Sequence, residues 1–243
     1  MTTTIHCTGR FCNHLIRNLA VSMIAEKNNL WVEYSFYNEI KQLGIPLFVG
    51  EKKYNRYLTV QEEDIMEFLE YDDIESNLYI IEHNTFQRDD FTNHLYNYFR
   101  QEIIQQNIIN QNPFQDRYNQ NNDCFIHIRL GDVAHMNPGF IYYDKILSQI
   151  SFDQLYISSD QPDHEICQNI LKKYPTTKMV ERNEIETIQF ASTNKHIILS
   201  HGSFSACIGY LAFYSDVYYP RFQEGKIWHG SMFSIPGWNC IDF

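Results

Sequence analysis

Alternation constrains this chain most: short apolar runs recur along it, and most are separated by a segment with helical spacing. In the second half, strands are expected at 124–129, 154–158, 177–180, 196–199 and 216–219. The segments at 141–150, 163–174, 184–192 and 204–214 carry helical periodicity. A strand that leads into a helix returns parallel to itself, and a parallel sheet must be covered on both faces. The first half has the same style, with strands at 3–7, 30–34, 58–60 and 78–82. Its helices are expected at 13–28, in a stretch running into Leu43, at 62–70 and at 91–109; Leu15, Leu19, Met23 and Ile24 mark the apolar face of the first. The stretch between the halves is rich in Asn and Gln, contains Pro113 and offers little core. The expected fold is therefore α/β, with an N-terminal domain at 1–110, a linker at 111–122 and a C-terminal domain at 123–243.

Bulk properties narrow the partners. With 243 residues and 44% hydrophobic content the chain can bury a real core. Nineteen Lys and Arg against 30 Asp and Glu give a net charge of −11, which opposes nucleic acid and anionic membrane surfaces. The six cysteines form no CxxC pair, so buried thiols in a reducing compartment are expected. The opening MTTTIHCTGRFCNH has no apolar signal core, and no run has the length of a membrane span. A soluble, cytoplasmic protein without membrane insertion is the expectation.

The candidate chemistry gathers where strands end. HIRLGD at 127–132 closes the apolar run 124–126, and ligands of α/β proteins sit at such strand ends. Arg129 is the first candidate: its planar guanidinium suits a diphosphate, and Gly131 lets the backbone turn close to a ligand. A salt bridge to Asp132 or another acid is the structural alternative for Arg129. His127 shares a side with Arg129 in an extended strand and is either a ligand contact or a brace for the turn. A second segment, SHGSFS at 200–205, lies between an apolar strand and an apolar helix. Gly202, Ser203, Phe204 and Ser205 are expected to place a helix N-terminus against an anion, with Ser203 as the cap. Ser158 and Asp160 end another strand in LYISSD, a position suited to a ribose or base, although Asp160 can equally cap the next helix. Gly9, Arg10, Asn13 and His14 occupy the first strand-to-helix turn, with Asn13 as a candidate N-cap. Tyr142, Tyr143 and Trp228 are aromatic side chains able to stack on a sugar or to fill core. No D-x-D triplet, Walker loop, HExxH, GxSxG or GxGxxG is present, and no histidines stand at i, i+4 spacing, so no metal is expected.

Three of these segments, in this order, resemble the fucosyltransferase superfamily, most closely the alpha-1,2-fucosyltransferases of glycosyltransferase family 11. TGRFCNHLIRNLAVSMIAEK at 8–27 is similar to the family's opening G-G-L-G-N-Q stretch, HIRLGD to its H-x-R-R-x-D motif, and HIILSHGSFSACIGYLA at 196–212 to its I-I-S-N-S-x-F-S segment. Leu130 stands in place of the second arginine, His201 and Gly202 in place of Asn-Ser, and Ala206 and Cys207 in place of a Trp pair. The resemblance implies two facing Rossmann-like domains of the GT-B kind and a GDP-sugar held by the C-terminal half. It also implies an inverting, metal-independent transfer of fucose or a related deoxyhexose to a glycan hydroxyl. In that picture His127, Arg129, Ser158, Asp160 and the residues Gly202, Ser203, Phe204 and Ser205 hold the donor. Gly9, Arg10, Asn13 and His14 face the acceptor, and Asp132, with His14 second, is the candidate base. A catalytically idle nucleotide- or carbohydrate-binding protein of the same fold is the main alternative, and a metal-dependent sugar transferase is the third.

Overall fold

Parallel pairing dominates the structure, a computed structural model that describes residues 1–223 and 230–243. The chain divides into two units, Met1–Asn107 and Ile108–Phe243.

The first unit contains β1 (Thr2–Thr3), α1 (Phe11–Asn28), β2 (Val32–Glu33), α2 (Tyr37–Gln42), β3 (Tyr57–Val60), α3 (Ile65–Glu70), β4 (Asn77–Ile80) and α4 (Asp89–Phe99), while α5 (Glu102–Gln111) spans the division. Here the expected Rossmann-like sheet is replaced by two parallel ladders of two strands each, β1 with β2 and β3 with β4. The strand expected at 3–7 shrinks to Thr2–Thr3. Polar side chains cause this, because the Ile5 amide donates to Thr3 Oγ1 at 3.3 Å and leaves the ladder. The Thr2 hydroxyl then joins the ladders by accepting the Leu78 amide of β4 at 2.8 Å. Helix α1 is buried around most of its circumference, more widely than the four-residue stripe predicts, and Met23 is only half-buried. Arg17 enters that core. Its guanidinium donates to the carbonyls of Ile80, Ile81, Glu82 and Asn84, supplying partners to the chain as it leaves β4. The helix expected at 91–109 breaks at a tight turn in which the amides of Arg100 and Gln101 reach back to Asn97 and Tyr98.

The second unit holds the main sheet. After α5 come β5 (Cys124–Ile128), α6 (Phe140–Leu147), β6 (Leu155–Ser159), α7 (Glu165–Lys173), β7 (Lys178–Met179), α8 (Glu184–Ala191), β8 (His196–Ile198), α9 (Gly202–Tyr210), β9 (Asp216–Pro220) and β10 (Asn239–Ile241). Six parallel strands lie in the order β10-β9-β8-β5-β6-β7. Strand β5 is central and buried throughout, which accounts for its nearly unbroken apolar sequence CFIHI. It pairs with β6 from Cys124↔Leu155 to Ile128↔Ser159 and with β8 from Cys124↔His196 to Ile126↔Ile198. Cys124, Ile126, Ile128, Tyr142, Ile146, Leu155, Ile157 and Ile170 form the core on the side of α6 and α7. The polar stretch expected as a linker is held within this unit. Asn112 is buried and donates to Tyr118 Oη and the Gln189 carbonyl, while Arg117 pairs with Asp123 at 2.9 Å.

Counted from β5, the chain builds strands one, two and three to one side, then crosses back and adds four, five and six on the other. That is the arrangement in which connections leave neighbouring strands in opposite directions and open a crevice at their carboxyl ends. The crevice lies between β5 and β8, the strands followed by HIRLGD and SHGSFS.

Candidate functional site at the sheet's switch point

Arg129 follows β5 directly and is clasped by two carboxylates. Its Nη2 bonds the Asp132 carboxylate and its Nη1 pairs with that of Asp160. The two acids are held differently. Asp160 is anchored, since its second oxygen accepts the Leu130 amide at 2.9 Å. Asp132 lies on an irregular 3-10 turn, Gly131–Met136, with its side chain 69% exposed against 15% for Arg129. Gly131 serves this clasp: at φ +45° a Cβ there would lie 2.6 Å from Asp160 Oδ2 and 2.8 Å from Arg129 Nη1. The salt-bridged alternative for Arg129 is thus the state observed, and Asp160 does not cap the following helix. His164 does, accepting the Ile166 amide at 3.3 Å.

His127 and Ser205 meet at 2.6 Å, imidazole Nδ1 to hydroxyl oxygen, tying β5 to the first turn of α9. Phe204 tilts over the same ring with centroids 4.9 Å apart. Burial, reinforced by the charge on Arg129 and by repulsion from His201 once that ring is protonated, pushes the His127 pKa down to about 3. It is therefore a neutral brace at physiological pH. The N-cap of α9 is His201, not Ser203, which is the second residue of the helix, and no side chain caps this end. Gly202 supplies the turn into the helix at φ +84°. Ser158 stands opposite His127 in the register of β5 and β6.

One residue of the site carries no motif. The Asn137 amide donates to the Arg129 carbonyl at 2.9 Å, to Tyr143 Oη at 3.0 Å and to Ser200 Oγ at 3.2 Å, and its oxygen accepts the Gly139 amide. It therefore joins the loop after β5 to the turn after β8. The only hint in the sequence is the turn-forming string Asn137-Pro138-Gly139. Tyr142 and Tyr143 are fully buried and occupied, with Tyr142 donating to the Leu199 carbonyl, so neither stacks on a sugar. Trp228 lies outside the described residues.

The other candidates sit in the first unit. Arg10 is the N-cap of α1, so Asn13 is inside the helix rather than capping it, and its side-chain oxygen accepts the Gln87 amide at 2.9 Å. Gly9, at φ +103°, lies so close to Asn13 that a Cβ would strike its amide. His14 Nδ1 is 2.7 Å from Ser35 Oγ, and burial lowers its pKa, with Arg17 adding to the shift. All six cysteines are free thiols, four of them buried. Among the described residues, no helix is long and apolar enough to cross a membrane.

Neither the family models, nor the curated proteins, nor the solved structures offer a match to this chain.

Proposed function

We propose that this protein is a glycosyltransferase that moves fucose, or a related deoxyhexose, from a GDP-sugar to a glycan hydroxyl such as O-2 of galactose, with inversion and without a metal. The observation that carries the reading is the position of Arg129 and the α9 N-terminus on the two sides of one switch point. A diphosphate placed there meets a forked cation and a set of backbone N–H donors. The order of the three motif-like segments supplies the sugar-transfer part of the proposal. Under this reading the two units are GT-B-like domains, with the acceptor on the Gly9, Arg10, Asn13 and His14 side.

In the proposed reaction an acceptor oxygen attacks the anomeric carbon as the bond from that carbon to the diphosphate breaks, and the electron pair leaves with GDP. Arg129 and the α9 amides stabilise the charge that builds there, a term that commonly dominates such catalysis. Asp132 is the proposed base, as an exposed carboxylate beside the arginine that would hold the diphosphate. His14, a buried neutral imidazole, is the second choice.

Incubation with GDP-fucose and a panel of galactosides, followed by mass spectrometry, tests the proposal: GDP and a fucosylated product are expected. Arg129→Ala should lower turnover by roughly a hundred- to a thousandfold. Turnover by that variant at the wild-type rate would remove Arg129 from the mechanism. The two carboxylates on Arg129 favour a second reading, a nucleotide-sugar binding protein that performs no transfer. Saturable GDP-fucose binding with no GDP released would establish it.

A further inference from the structure

Among the polar groups at the switch point, His201 stands out. The residue is 2% exposed, its Nε2 is buried, and that atom makes no hydrogen bond of good geometry. A buried polar atom left without a partner is costly, and such groups in native structures call for a cause. Its surroundings say where the ring lies. It occupies the N-cap position of the nine-residue helix α9 without a side-chain capping bond, and it feels the charges of Arg129, Asp132 and His135 on the loop after β5, as well as His127 on the strand itself. The residue therefore stands where the turn after β8 meets the loop after β5, with the Arg129 carbonyl beside its ring.

We propose that His201 is a binding residue for a phosphate group, donating from Nε2 to a non-bridging oxygen of a nucleoside diphosphate that also engages Arg129 and the first-turn amides of α9. This rests on the donor-site reading above and names the group that the switch point recognises. Burial, with Arg129 and His135 adding to it, outweighs the Arg129 carbonyl and Asp132 and lowers the His201 pKa to about 4, so the ring is neutral in the free protein. A neutral imidazole has one N–H, and the tautomer carrying it on Nε2 is the one an anion selects. The Arg129 carbonyl stands near the ring without making a hydrogen bond of good geometry to Nε2, so a phosphate oxygen is the better acceptor for that N–H.

The test uses the full chain with inorganic pyrophosphate and GDP as probes, read by calorimetry, beside thermal unfolding without ligand. His201→Leu removes the donor and fills the space with apolar atoms. It should bind both probes about ten- to a hundredfold more weakly while its melting temperature is unchanged or higher, because an unsatisfied buried atom has been removed. His201→Asn, which restores an N–H donor, should recover most of the affinity. Equal affinity of wild type and His201→Leu would overturn the role of His201 and leave the donor-site reading intact. No binding of either probe by the wild type would overturn both. Pyrophosphate binding that depends on His201, in a protein that turns over no GDP-sugar, would uphold this inference and end the transferase reading.

Discussion

The Arg129 clasp sets the behaviour of the site residue by residue. Arg129 with Asp132 and Asp160 sums to one negative charge, so an incoming diphosphate must displace a carboxylate before it gains the guanidinium. Asp132 is the one to yield, since its side chain is 69% exposed against 27% for Asp160, and an exposed ion pair contributes about 0.2–1 kcal/mol. Asp132→Asn should therefore tighten GDP binding by about two- to fivefold while lowering turnover if Asp132 is the base. Calorimetry with parallel rate measurements would show both, and weaker GDP binding by this variant would contradict the displacement. The buried histidines give a pH dependence. His127 and His201 have folded pKa values of about 3 and about 4, below the ordinary value near 6.5, so acid puts protons on the unfolded chain that the native state refuses. Stability is therefore lost as pH falls below about 6.5, by an order of magnitude of 2 kcal/mol per histidine between pH 7 and 5. His14 and His196 shift in the same direction. Carboxylates held low, such as Asp90 beside Arg88, act only below about pH 4. Urea unfolding at pH 7 and 5 should show the loss, with His127→Gln reducing it; identical midpoints at both pH values would contradict neutral burial.

Elements were legible in the sequence in proportion to how much their own residues decide. Strand β5 and helices α7 and α8 could be read because continuous burial or a clear apolar stripe leaves one solution. Strand β10 could not, since three residues at a sheet edge carry no pattern and their pairing, Asn239↔Tyr218 to Ile241↔Pro220, depends on a surface built elsewhere. The site divides in the same way. Arg129 and the turn 200–205 declare themselves through chemistry at strand ends, but Asn137 and His201 act through distances that only folding creates. Asp160 was legible as a strand-end acid, yet its hold on the Leu130 amide lies across two strands. Thr2 shows how little sequence such a link needs. Thr2→Val keeps the shape of this buried residue but leaves the Leu78 amide unmatched between β1 and β4, at a cost of about 1–3 kcal/mol. In helix α9, Gly209 faces the Trp238 indole, and a Cβ would lie 2.4 Å from its nearest carbon. Gly209→Ala must push the indole from α9 and should cost about 1–3 kcal/mol, loosening the β10 edge. Denaturant melts would reveal either loss, and a wild-type midpoint for Gly209→Ala would show that the indole moves freely.

At the scale of the whole molecule, the net charge of −11 makes any anion site a local exception, created by one arginine and oriented backbone amides rather than by a basic surface. A ligand held in this way should leave a localised footprint. The donor-binding proposal places every phosphate contact in Ile108–Phe243, on two segments that are far apart in sequence and adjacent across the switch point. Binding to the folded state alone stabilises it by about 2.7 kcal/mol at a hundredfold excess over Kd, so GDP should raise the melting temperature in a concentration-dependent way. Hydrogen exchange then tests where that stabilisation acts. GDP should slow exchange at 129–137 and 200–206, where the Asn137 bridge and the α9 amides become harder to open, and should leave 9–14 unchanged. If the acceptor belongs with Gly9, Arg10, Asn13 and His14, adding an accepted galactoside should extend protection to 9–14. Protection by GDP that appears first at 9–14 would move the nucleotide to the other unit and leave Arg129 as a structural ion pair.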